Sequence, residues 1–114
     1  MNMEAMEAAG IHYAAGLQRF SGRADLYEKF LKRFGEDENF SQLEKAVAAG
    51  ETQEAFRYAH ALKGVSGNLS LDRFYSTLVL LVEKLRVGEA DGTQELMQKL
   101  CTEYDSIVCA VAQE

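Results

Sequence analysis

Proline is absent from this 114-residue chain. Nothing therefore locks φ or removes a backbone donor inside a helix, and the abundant Ala, Leu, Glu and Lys are free to propagate one. Tryptophan is absent too, and cysteine occurs only at Cys101 and Cys109. On one helix these two would lie roughly 12 Å apart, too far for a disulfide. They read as small core or boundary residues of a chain expected in the cytoplasm. Histidine is as rare, with His12 and His60 only. No ligand spacing of the zinc kind can be assembled from so few residues, so no metal site is expected.

Positive charge is scarce: 12 Lys and Arg face 18 Asp and Glu, a formal net charge of −6, and no basic run exceeds two residues. That excludes the basic footprint of a nucleic-acid binder. Long apolar runs are missing as well. "LVLLV" at 78–82 falls far short of the roughly 18 residues of a membrane span. The opening "MNMEAMEAAG" has neither the basic region nor the apolar stretch of a signal peptide. Partners are therefore expected to be neither nucleic acid nor membrane. Phosphate-binding loops are absent also: no G-x-x-x-x-G-K-[ST], and no G-x-G-x-x-G following a strand.

What is present is helical periodicity. Glycine and short polar clusters punctuate the chain into six expected helical pieces. The first covers about Ile11 to Phe20. The second, about Ala24 to Phe34, carries Tyr27, Phe30, Leu31 and Phe34 on one face, with Glu28 and Lys32 as an outer i,i+4 pair. The third covers about Asn39 to Ala49, started either by a Ser41/Glu44 capping box or by Asp37. Thr52 is a candidate N-cap for the fourth. The fifth, about Leu71 to Val87, has Phe74, Leu78, Leu81, Val82 and Leu85 as its stripe, widened by Val79 and Leu80. The sixth begins near Thr93 and carries Leu96, Leu100, Tyr104, Ile107, Val108 and Val111. The expected fold is all-α: an up-and-down antiparallel four-helix bundle with one or two extra short N-terminal helices. It forms a single domain over 1–114, with residues 1–9 expected to be frayed or disordered, and is expected to be monomeric.

The fourth helix carries "YAHALKGVSGNLS", residues 58–70. Two glycines inside a helix cost roughly 1 kcal/mol each relative to alanine, so their presence asks for a reason. At about 100° per residue, Ala55, Tyr58, Ala59, Leu62, Val65, Ser66 and Leu69 fall on the half opposite His60, which must face the core. Gln53, Phe56, Arg57, Lys63, Gly64 and Gly67 lie within roughly 60° of the histidine. His60 therefore points to solvent from mid-helix. Lys63 and Arg57, one turn either side, are placed to neutralise an anion held on the ring. Gly64 and Gly67 strip the surface beside it for another protein's approach, and Phe56 offers that partner an apolar contact. A nucleophilic imidazole so exposed suits a phosphoryl carrier, and donor and metal must come from elsewhere. His12 has no such surroundings and reads as a surface or packing residue.

These residues resemble the histidine-containing phosphotransfer (HPt) domain of bacterial phosphorelays. The match rests on "AHALKGVSGNLS" and on "GLQRFSGRADLYEKFLKRF" at 16–34, with "LEKAVAAGE" before the histidine helix. The resemblance implies that His60 accepts a phosphoryl group from a receiver-domain phospho-aspartate and passes it to another receiver. Lys63 would steady the phosphoryl oxygens, and Gly64 would make room for the partner. Partners would be response-regulator receiver domains, including one of a hybrid sensor histidine kinase. The chain would need no cofactor of its own, Mg²⁺ being held by the receiver, and would be a carrier rather than an enzyme. The sequence departs from the family pattern at Ser70, where a glycine is usual and where the serine is expected to cap the next helix. It departs again at Leu81–Val82, with Glu83 one place later than the usual Leu-Glu pair.

Two alternatives stand beside this reading. One is the phospho-accepting domain of a chemotaxis-type kinase charged by a separate ATP-binding domain, against which the end of the sequence at Glu114 weighs. The other is a helical adaptor that binds receivers and carries no phosphate.

Overall fold

The computed structural model describes residues 1–113. Among these residues seven helices succeed one another: α1 (Met3–Ala8), α2 (Tyr13–Arg19), α3 (Ala24–Phe34), α4 (Glu38–Ala48), α5 (Thr52–Asn68), α6 (Asp72–Arg86) and α7 (Thr93–Ala112). Helix α4 packs on α5, α5 on α6, α6 on α7 and α7 back on α4, closing the four-helix ring. Short loops force successive members antiparallel. Helices α1 and α3 lie against α7, and α2 bridges them. The core is built from the faces that the periodicity marked, with Leu62, Phe74, Leu78, Leu81, Val82 and Leu100 fully buried among them.

Several expectations are corrected. Residues 1–9 are not frayed: Asn2 caps α1 by accepting from the Ala5 N–H at 3.0 Å, and Met6 is 0% exposed. The Arg73 guanidinium clamps this helix by donating to the Ala8 carbonyl at 2.8 Å. A six-residue helix shows too little periodicity to be read alone, and its stability comes from burying Met6. The extra short N-terminal helices are α1 and α2, of six and seven residues. Helix α4 starts at Asp37, whose carboxylate accepts from the Asn39 N–H at 2.8 Å, and Ser41 only donates to the Glu38 carbonyl. Thr52 lies inside α5, after Glu51 at the cap position. Glu28 accepts from the Tyr13 hydroxyl at 2.6 Å instead of pairing with Lys32, and burial, aided by this bond, pushes the Tyr13 phenol up to about 12. Leu80 is 56% exposed, and Phe30 and Val108 sit at exposed edges. The buried stripes of α3, α6 and α7 are therefore narrower than their runs of apolar residues.

Ser70 does not cap α6 either. Helices α4, α5 and α6 all end in the same hydrogen-bonded stop: Glu51 N–H to Ala46 O, Leu71 N–H to Ser66 O, and Glu89 N–H to Lys84 O. Each needs one residue in the left-handed region. Gly50 and Gly88 supply it with φ of 71° and 75°, while in α5 the residue is Ser70 with φ 56°. A side chain there is strained by about 1 kcal/mol. Ser70→Gly is therefore expected to raise stability by about 1 kcal/mol, and Ser70→Ala to give no such gain. Chemical denaturation of the two variants decides the matter; equal stabilities would contradict the strain.

One buried acid interrupts the α7 stripe. Glu103 is 6% exposed; Thr77 Oγ1 donates to its Oε2 at 3.0 Å, and Oε1 has no hydrogen-bond partner among the described residues. Burial raises the Glu103 carboxyl above its ordinary value, against the Thr77 hydrogen bond and the charges of Lys99 and Arg73. The folded chain thus holds this proton more tightly than the unfolded one. Its stabilising contribution is complete below the ordinary value of 4.5 and is lost as pH rises from there through the folded value. The stability of the wild type relative to Glu103→Gln should accordingly fall as pH rises above the ordinary value of 4.5. A difference that stays flat as pH rises would show that the carboxyl titrates alike in both states.

Candidate functional site

Helix α5 turns Ala55, Ala59, Leu62 and Ser66 inward, so the opposite face is presented to solvent. His60 lies there, exposed, with exposed Ala61 and Gly64 and half-buried Lys63 beside it. Among the described residues no carboxylate lies within ion-pair distance of its ring. The Phe56 ring stands 5.7 Å from the imidazole, tilted by 34°, and the Arg86 guanidinium lies 5.9 Å from the centroid of that phenyl. Phe56 therefore walls one side of the histidine and is half-buried itself.

The two flanking cations separate. Arg57 donates to both carboxylate oxygens of Glu54, at 3.0 and 3.1 Å, so its charge is engaged one turn away from the ring. Lys63 has no carboxylate within 4.0 Å among the described residues. Of the pair, Lys63 is the cation left to meet an anion on His60.

The two glycines separate as well. Among the described residues, a Cβ added at Gly64 would meet nothing within 4 Å beyond its chain neighbours and its own helix backbone. A Cβ at Gly67 would come within 3.3 Å of the Tyr75 ring of α6. Gly67 thus serves the α5–α6 contact within the chain, whereas nothing inside the protein requires Gly64 to lack a side chain. The reason for Gly64 must lie outside.

Beside His60 runs an open groove of about 430 Å³, lined by Arg19, His60, Lys63, Gly64, Gly67, Asn68, Asp72 and Tyr75. Arg19, Asp72 and Tyr75 carried no sequence signal for this place. Tyr75 was legible only as a non-stripe residue of α6, and Arg19 belongs to a different helix. His12 does not line this groove; its Nδ1 lies 3.6 Å from Asp72 Oδ2.

Among the described residues no group of three His, Cys, Asp or Glu side chains is placed to hold a metal ion. The Cys101 thiol donates to Glu44, and burial with that contact pushes it up to about 11. Among the described residues no helix is long and apolar enough to cross a membrane.

The family model for the Hpt domain matches residues 25–109, which span α5 with His60 at its exposed centre. The chain belongs to the Hpt family. No curated protein and no solved structure matches it. As an Hpt domain it takes part in histidine-containing phosphotransfer within a phosphorelay. Hpt domains are phosphocarriers that interact with receiver domains and kinases of two-component systems. The all-helical bundle agrees with that membership. The match begins inside α3, so α1 and α2 lie outside it.

Proposed function

We propose that His60 is the phosphoryl-accepting residue, charged by a receiver-domain phospho-aspartate and discharged onto another receiver. The observation that carries this reading is the exposed ring beside an open glycine: His60 stands free of carboxylates while Gly64 leaves its flank bare for no internal reason.

The step needs little from the carrier. The Nε2 lone pair attacks phosphorus as the P–O bond to the partner's aspartate breaks. The carboxylate leaves with the bonding electrons, and the ring keeps its Nδ1 proton. The onward step is the same displacement in reverse, with a receiver aspartate as nucleophile. Such a loose, in-line transfer is helped mainly by positioning and charge stabilisation. Lys63 meets the phosphoryl oxygens as they swing from oxygen to nitrogen. Phe56 limits the ring's sideways motion, so Nε2 is presented along one approach. Mg²⁺ is held by the acidic pocket of the partner receiver. Arg57, held by Glu54, belongs to the rim of the docking face.

Incubation with a phosphorylated receiver should place acid-labile, alkali-stable phosphate on this protein, mapped to His60 by mass spectrometry. Receiver binding without any phosphate on histidine would instead identify an adaptor.

A further inference from the structure

The groove beside His60 holds a cation that the Hpt match does not reach. Arg19 is the last residue of α2, and its side chain lines the same groove as His60, Lys63 and Gly64. Helix α2 is not loosely attached. The His12 N–H donates to the Ser70 carbonyl at 2.9 Å, tying its start to the end of α5. Gly16 lies flush against the Tyr27 hydroxyl, which itself donates to the Leu69 carbonyl at 2.7 Å. Phe20 closes the helix by packing 5.3 Å from the Tyr27 ring. Three anchors therefore hold the end of α2 at a set place beside the histidine helix.

The charges nearby make Arg19 stand out. Arg57 is engaged by Glu54, Arg86 by Glu83 and Arg23 by Asp25. Arg19 has no carboxylate within 4.0 Å among the described residues. Asp72, the one acid lining the groove, lies 3.6 Å from the His12 ring. Lys63 and Arg19 are thus the two uncommitted cations of the groove, on a chain of net charge −6. A receiver presents carboxylates around its phospho-aspartate, and the overall charge of this chain opposes their approach. Local cations must offset that repulsion. Along α5 the stripe from His60 to Gly67 runs roughly 10 Å. A partner seated over His60 and Gly64 therefore extends toward the α2 wall of the groove.

We infer that Arg19 is a receiver-docking residue: its guanidinium pairs with a carboxylate of the partner and sets affinity and partner choice, without touching the phosphoryl group. The inference rests on the carrier reading of His60.

The test separates docking from chemistry. Receiver domains phosphorylated with acetyl phosphate are screened, and the one that labels the wild type fastest is used for kinetics. Phosphoramidate serves as a second donor too small to dock; its P–N bond breaks as Nε2–P forms, and ammonia leaves. Arg19→Ala should raise KM for the receiver about tenfold with kcat unchanged, Arg19→Lys should restore most of it, and Arg19→Glu should be worse than alanine. The salt dependence of kcat/KM should flatten in Arg19→Ala. Labelling by phosphoramidate should proceed at the wild-type rate in all three. An unchanged KM in Arg19→Ala, or an equal loss with phosphoramidate, overturns the docking role. Phosphoramidate label on wild-type protein that maps anywhere but His60 would overturn the carrier reading itself, and with it the need for a docking cation there.

Discussion

Replacing His60 by glutamine is expected to lower phosphoryl transfer from a receiver by at least roughly 10³-fold, since the nucleophile itself is removed. The fold should not notice. His60 is exposed and makes no side-chain hydrogen bond or ion pair among the described residues, and the Phe56 ring stands 5.7 Å from it. Surface changes of this kind shift stability by about 0.5 kcal/mol or less. Transfer and thermal unfolding are therefore measured on the same preparation: activity vanishes while the melting curve stays in place. The second histidine supplies an internal control. His12 lies beside Asp72 and does not line the groove that holds His60 and Lys63, so it should take no label in either protein. Phosphate on His12, or undiminished labelling of His60→Gln, would falsify the assignment.

Gly64 should show the opposite division between stability and function. Its position is mid-helix with open space where a side chain would go. Gly64→Ala should therefore stabilise the protein by about 1 kcal/mol, the ordinary helix preference for alanine. Gly64→Leu should keep the fold and yet slow receiver-dependent transfer on the order of 10²-fold, because a displacement of about 1 Å in an in-line transfer has an effect of that size. Gly67→Ala is the contrast: its methyl would stand 3.3 Å from Tyr75, so it should stabilise less than Gly64→Ala. Denaturation curves and transfer rates on the three variants resolve this. Were Gly64→Leu to transfer at the wild-type rate, no partner surface passes close over Gly64, and the open flank would have no explanation.

The difference between these glycines marks the limit of what a linear sequence can say. On a helical wheel Gly64 and Gly67 are equivalent, each close to His60. Only the arrival of Tyr75 from α6 tells them apart. Arg57 and Lys63 looked equivalent in the same way, although here the answer was within reach: Glu54 stands three residues before Arg57, an ordinary pairing distance on one helix. The family's missing glycine at Ser70 was visible, but its meaning was not. A backbone dihedral in the left-handed region explains it, and a capping role does not.

The all-helical class, the bundle and the outward direction of His60 were determined by the sequence alone, since each follows from periodicity within single helices. A helix that must hide Ala55, Ala59, Leu62 and Ser66 has one direction left for His60. Tertiary structure decided the burial of Met6, the exposure of Leu80, the open flank at Gly64 and the placing of Arg19 in the groove. Those depend on which distant segments pack together, a property that no local spacing encodes.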